Sequence, residues 1–243
     1  MKLYVVGLGP GAPEQMTNRA AAALEKSDVI VGYTGYVEQI APFYPEKKQI
    51  STPMRGERER CRVAVEEAAG GKTVSIVCSG DAGVYGMASP VLEAASVYPD
   101  LEVEVVPGVT AACSGAALLG APLSHDFAVI SLSDLLTPWE LIEKRLACAA
   151  EADFSICLYN PSSKKRADYL QKACEILLRF RSPNTPAGVV RNIGRKGETA
   201  AYMTLEELQR YQADMFTTVF IGNSQTKMIQ GKLVTPRGYR EEA

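Results

Sequence analysis

Lys2-Leu-Tyr-Val-Val-Gly-Leu-Gly-Pro-Gly-Ala12 is a short apolar run that breaks directly into a glycine-rich loop. Leu3 to Val6 read as a buried parallel strand, and Gly7, Gly9 and Gly11 let the backbone turn where a Cβ would clash. The loop satisfies G-x-G-x-x-A, a pattern that sets a pyrophosphate on a helix N-terminus in dinucleotide-binding folds. The next strand ends Val31-Gly32-Tyr33 without the acidic residue that would bind a ribose, and Asp28 stands at its start, the wrong end of a sheet. Pro10 and Pro13 also remove amide donors where a pyrophosphate needs them. A nicotinamide oxidoreductase is therefore disfavoured. The loop stands either as a plain βα turn or as the floor of a site for another ligand.

From this start the chain alternates. A helix capped by Thr17 leads to a strand at Asp28–Val31, then a helix, a short strand at Gln49–Ser51 and a charged amphipathic helix from Glu57 to Gly70. The alternating Glu and Arg of that last helix read as a solvated face. Thr73–Cys78 is a fully apolar strand, followed by Gly80-Asp-Ala-Gly-Val-Tyr-Gly86, and Glu102–Val106 is another, followed by Pro107-Gly-Val-Thr-Ala111. Strand, loop and helix in alternation predict an α/β fold with a mostly parallel sheet, ligands gathering at the carboxyl ends of its strands. At Gly120-Ala-Pro122 the pattern restarts, so two α/β domains are expected, 1–119 and 120–243. In the second, two strands flanking Asn192–Gly197 read as a hairpin, which makes that sheet mixed.

Composition narrows the partners. With 26 basic and 28 acidic residues the net charge is −2, which argues against a general nucleic-acid or anionic-membrane surface. Six widely spread cysteines without a C-x-x-C pair, and the single His125, argue against a zinc site, so no metal is expected. The scattered thiols suit buried residues of a reducing cytoplasm. No apolar run approaches the roughly 18 residues of a membrane span. Lys2 and the apolar run that follows imitate a signal peptide, but the glycine loop comes too soon for one, so a cytoplasmic location is expected.

Taken alone, Asp81 reads as a helix cap. The loops Gly7–Gly11, Gly80–Gly86 and Val106–Ala111, in this order and spacing, together resemble those of the tetrapyrrole methylases, the class III S-adenosylmethionine-dependent methyltransferases. Leu158-Tyr-Asn-Pro161 and Pro186-Ala-Gly-Val-Val190 match the family's second-domain segments, so the resemblance covers nearly the whole chain. The run from Pro122 to Glu140 resembles the branch that methylates C17 of precorrin-3B, or of its cobalt analogue, with ring contraction in cobalamin synthesis. A methylase of the same fold acting at C11 is the near alternative, and a non-catalytic tetrapyrrole sensor a more distant one.

The resemblance implies two α/β domains with the active-site cleft between them, usually as a homodimer, and S-adenosylmethionine as methyl donor. Carried over by position, donor contacts fall on Pro10, Gly80, Asp81, Ala82, Thr110, Ala111, Asn160, Gly188 and Val189. The tetrapyrrole is expected against Gly9 and Gly11, with Ser131 and the cations Arg55, Lys164 and Arg191 meeting its carboxylates. A sulfonium methyl is already activated, so transfer needs positioning above all. Ring contraction must move protons and calls for an acid or base. His125 has the side chain whose ordinary pKa suits that work, and a structural role for it is equally open; Tyr33 and Asp134 are the alternatives, with packing and loop capping as their competing roles.

Overall fold

The computed structural model describes residues 1–163 and 166–239. Its contacts divide the chain into two units, Met1–Thr110 and Ala111–Ala243.

The first unit is built on five strands, β1 (Lys2–Gly7), β2 (Val29–Tyr33), β3 (Lys48–Thr52), β4 (Thr73–Cys78) and β5 (Glu102–Val106). They lie in the order β3-β2-β4-β1-β5, and every pair is parallel. Alternate residues of β1, β2 and β4 feed two different cores. Leu3, Val5, Val29, Val31 and Ile76 pack with helices α3 (Glu57–Ala69) and α4 (Ala88–Ala95). Val6, Ile30 and Val77 pack with α1 (Asn18–Lys26) and α2 (Thr34–Ile40). A strand buried on both faces has no polar side to show, which is why these segments read as unbroken apolar runs. Helix α1 begins where the sequence predicts, with the Thr17 hydroxyl accepting the amide of Ala20 at 3.1 Å.

The second unit opens with α5 (Ala111–Leu119), which the sequence reading grouped with the first domain. This helix packs against β9 (Pro186–Arg191), β10 (Thr199–Thr204) and β11 (Thr217–Ile221). Its small residues permit the approach: a Cβ on Gly115 would stand 2.8 Å from Phe220 Cζ, and one on Gly188 the same distance from Leu119 Cδ1. The sheet order is β10-β9-β11-β8-β7, with β7 (Phe127–Ser131) and β8 (Ser155–Tyr159) parallel and the other pairs antiparallel. The mixed sheet and the hairpin across Asn192–Gly197 are as expected. Helices α6 (Trp139–Glu151), α7 (Tyr169–Leu177) and α8 (Leu205–Leu208) cover the face opposite α5. One sheet was not foreseen. Gly120–Ala121 (β6), read as the domain boundary, pairs with Lys232–Val234 (β13), which pairs in turn with Lys227–Ile229 (β12).

Four of the six cysteines are buried as expected, but Cys113 and Cys148 are exposed. Burial pushes the Cys78 thiol up to about 11 and the Cys174 thiol up to about 12. Only thiolates react, so a thiol-reactive dye at mild alkaline pH is expected to label two sites rapidly, and peptide mapping should place them at 113 and 148.

The tightest backbone packing lies at the carboxyl ends of β1, β4 and β5. A Cβ on Gly108 would sit 2.2 Å from the Gly80 carbonyl oxygen and 2.5 Å from that of Gly7. Gly71, at φ +94°, has open space around it. Gly71→Ala is therefore expected to cost about 1 kcal/mol from backbone strain alone. Gly108→Ala should cost roughly 3 kcal/mol or more, because backbone must move. Equal urea midpoints for the two variants would contradict this packing.

Candidate functional site

A parallel sheet puts the carboxyl ends of all its strands on one edge. In the first unit that edge carries the 8–12 loop, Tyr33, the turn containing Arg55, the 79–87 loop and the 107–110 loop. Gly9 and Gly80 exchange both backbone hydrogen bonds, Gly9 N to Gly80 O at 3.0 Å and Gly80 N to Gly9 O at 2.7 Å. Both have positive φ, +79° and +67°, the left-handed region that glycine enters without steric cost. A Cβ on Gly9 would lie 2.8 Å from the Gln15 carbonyl oxygen. The group approaching the Gly9 backbone is thus the chain itself, and Gly9, Pro10 and Gly11 are all buried.

Asp81 joins the loops. Its Oδ1 accepts the Gly83 amide at 2.7 Å and its Oδ2 accepts the Gly108 amide at 3.0 Å. It caps no helix, because α4 starts only at Ala88 and its N-cap, Met87, offers no side-chain bond. The expectation of a helix N-terminus at Gly80–Gly83 is corrected accordingly: Asx-type bonding holds this loop. Ala82 is buried. Tyr33 ends β2 half-buried, edge-on to Tyr36 with ring centroids 5.2 Å apart. Arg55 is exposed at φ +67°.

Arg60 is a residue the sequence reading missed. Assigned to a solvated face, it is 4% exposed. Its Nε donates to Thr52 Oγ1 at 2.9 Å and its Nη2 to Pro53 O at 3.2 Å, which fixes the turn after β3. Helical spacing held the signal, since Arg60, Ala64 and Ala68 share a stripe.

In the second unit, Leu158 of β8 and Val189 of β9 both pair with Val219 of β11, so their carboxyl ends are level. Ser131 pairs with Tyr159 in the same register. Ser131, Asn160 and Arg191 consequently share an edge, and α5 starts there, its Ala112 amide donating to Tyr159 Oη at 2.7 Å. Asn160 sits at φ +53° and donates to Ser131 Oγ at 2.9 Å. A non-glycine residue held there is strained by about 1–3 kcal/mol, a feature that clusters at ligand sites. Arg191 Nε donates to Asp214 Oδ2 at 2.6 Å. Asp134 accepts the Tyr169 hydroxyl at 2.7 Å, with Arg166 Nε 3.8 Å away, and this hydrogen bond raises the Tyr169 pKa.

Other predicted residues fall elsewhere. Gly188 and Val189 lie inside β9, buried against Leu119 and in the core with Val219. His125 precedes β7, at the sheet edge opposite Ser131 and Asn160, exposed, its Nδ1 accepting the Asp126 amide at 2.9 Å. Lys164 lies outside the described residues. A recess of about 490 Å³ at the amino end of β9 is lined by Arg181, Asn223 and Thr226 and by none of the predicted residues. Arg181 there donates to the carbonyls of Gly222 and Phe154.

A family model described as Tetrapyrrole (Corrin/Porphyrin) Methylases matches residues 2–209. The chain belongs to this family. Among its relatives, the Salmonella typhimurium protein named "Probable cobalt-factor III C(17)-methyltransferase" is 47% identical over 98% of this chain and 99% of its own length. The crystal structure of the methyltransferase CobJ superimposes with a TM-score of 0.89 at 38% identity, covering 96% of this chain and 99% of that one. Uroporphyrin-III C-methyl transferase from Thermus thermophilus, solved with S-adenyl homocysteine, gives 0.69 at 25% identity over 91% and 92% of the two chains.

Replacing Asp81 by Ala frees the Gly83 and Gly108 amides at once. Hydrogen exchange at Gly108 should accelerate at least tenfold and stability should fall by about 1–3 kcal/mol. Unaltered exchange would mean that Asp81 does not hold the loops.

Proposed function

We propose that this protein transfers the methyl group of S-adenosylmethionine to C17 of cobalt factor III or its metal-free counterpart precorrin-3B, with contraction of the ring, in cobalamin biosynthesis. The observation that carries the reading is end-to-end identity of 47% with a relative named for that reaction. The thermophile neighbour solved with the demethylated donor supports the choice of donor. Any cobalt belongs to the substrate.

The residues fit a donor site of this kind. Asp81 keeps the 80–83 and 107–110 loops together, and Thr110 and Ala111 are only partly buried. Asn160 stands exposed in a strained conformation. In this reading Pro10, Gly80, Asp81, Ala82, Thr110, Ala111, Asn160, Gly188 and Val189 hold the donor, Gly188 and Val189 acting through the strand end that they position. Arg55, Ser131, Lys164 and Arg191 serve the tetrapyrrole, with Gly9 and Gly11 acting through the buried loop that they shape. S-adenosylmethionine, when bound, supplies the activated methyl group. The chain's own task is to orient the ring carbon toward it and exclude water.

For the proton steps of contraction, His125 offers the imidazole, but its place at the sheet edge opposite Ser131 and Asn160 sets it apart from them, so Asp134 is assigned ahead of it. Asp134 acts with the Tyr169 hydroxyl that it holds, and Tyr33 is assigned to the wall of the site. The enzyme is proposed to work as a cytoplasmic homodimer.

Calorimetry with S-adenosylmethionine is expected to give one site per chain, and NMR of the methylated product should place the new carbon on C17. A product methylated at C11 would replace this reading with its nearest alternative. His125→Ala should retain both methyl transfer and the yield of contracted ring, whereas Asp134→Asn should lower that yield by a factor of about 100 or more, as loss of a general acid or base does. An unchanged yield in Asp134→Asn removes Asp134 from the chemistry.

A further inference from the structure

Residues 132–138, between β7 and α6, form a loop fixed at both ends and apolar at its apex. At its entry Leu132 is fully buried, its amide donating to Tyr159 O at 2.9 Å, and the Ser133 amide donates to Ser131 Oγ at 3.2 Å. Asp134 is held by the Tyr169 hydroxyl at 2.7 Å. At the exit the Trp139 ring lies 4.4 Å from that of Tyr169, and its Nε1 donates to Glu143 at 2.8 Å. Between these anchors stand Leu135 and Leu136, 64% and 98% exposed.

Isolated exposed leucines are ordinary. Two in succession, on an apex whose stem prevents them from turning inward, at the sheet edge that carries Ser131 and Asn160, call for something to cover them. We propose that Leu135 and Leu136 are substrate-positioning residues that lie against the flat apolar face of the tetrapyrrole. The inference rests on the methylase reading, in which this ring is the ligand with a large apolar face to offer. Polar groups flank the two leucines, Ser131 and Asn160 at the strand ends and Arg166 beside Asp134. A macrocycle with an apolar face and a rim of carboxylates matches that layout.

Trp139 is the single tryptophan of the chain and lies tilted at 45° against the Tyr169 ring just beyond the apex, so its fluorescence reports binding at this loop. The test titrates wild type, Leu136→Met and the double variant Leu135→Ser with Leu136→Ser, using cobalt factor III for Trp139 quenching and S-adenosylmethionine for calorimetry. Wild type and Leu136→Met are expected to bind the ring alike. The double variant should bind it about tenfold more weakly, some 1.4 kcal/mol, with a raised KM for the ring. Its donor affinity and unfolding midpoint should be unchanged, because both side chains are exposed. Equal ring affinity in the double variant overturns the proposal, as does an equal loss of donor and ring. Dissociation of a wild-type dimer by the double substitution, seen by light scattering, also overturns it by making the apex an interface between copies. If wild type binds neither ligand, the methylase reading itself fails, an outcome distinct from all of these.

Discussion

The first unit depends on backbone meeting backbone without side chains between. Gly7, Gly80 and Gly108 stand at the ends of three strands that the sheet order makes neighbours, β4-β1-β5, and the distances at Gly7 and Gly108 leave no room for a methyl group. The reciprocal bonds of Gly9 and Gly80, with the two oxygens of Asp81, then lock loops that sequence places far apart. Strand ends diverge with the twist of a sheet, and loops leaving them ordinarily splay. Here one carboxylate and a glycine bridge hold them in a single platform.

The second unit reaches a defined edge by another route. Its sheet is mixed, so only β7, β8 and β9 present carboxyl ends together, β11 running against them. Helix α5 seats on Gly188 and Phe220, and Tyr159 closes its first turn. Asn160 follows Tyr159 directly, so a positive-φ residue is held between a capped helix and the Ser131 hydroxyl. Strain of this kind persists only where the surroundings over-determine it.

Much of this was legible from residue order. Continuous apolar runs with glycine loops revealed the parallel sheet, and the Asn192–Gly197 turn revealed the hairpin. What stayed hidden has physical reasons. Strands β6, β12 and β13 have two or three residues each, too short to carry periodicity. The small-residue composition of α5 does not say which sheet it fits, because the answer lies in the absent side chain of Gly188. The structural part of Asp81 was misread: a capping pattern was seen where the carboxylate bonds across to Gly108, a partner remote in sequence. Arg60 was lost in a charged run whose stripe put it inside. His125 was chosen for its imidazole, a chemistry that carries no position, and strand direction sets it at the far edge from Ser131.

The polar groups around the candidate residues are largely committed to one another. Asp81 bonds two amides, Asp134 holds Tyr169, Arg191 holds Asp214 and Asn160 holds Ser131. A site that had to generate its own nucleophile or polarise a carbonyl would need carboxylates or hydroxyls poised against substrate and backed by a base. Groups already engaged in mutual hydrogen bonds are instead suited to hold loops at fixed spacing. Methyl transfer from a sulfonium asks for that: the leaving group is preformed, and the barrier falls chiefly with alignment and exclusion of water.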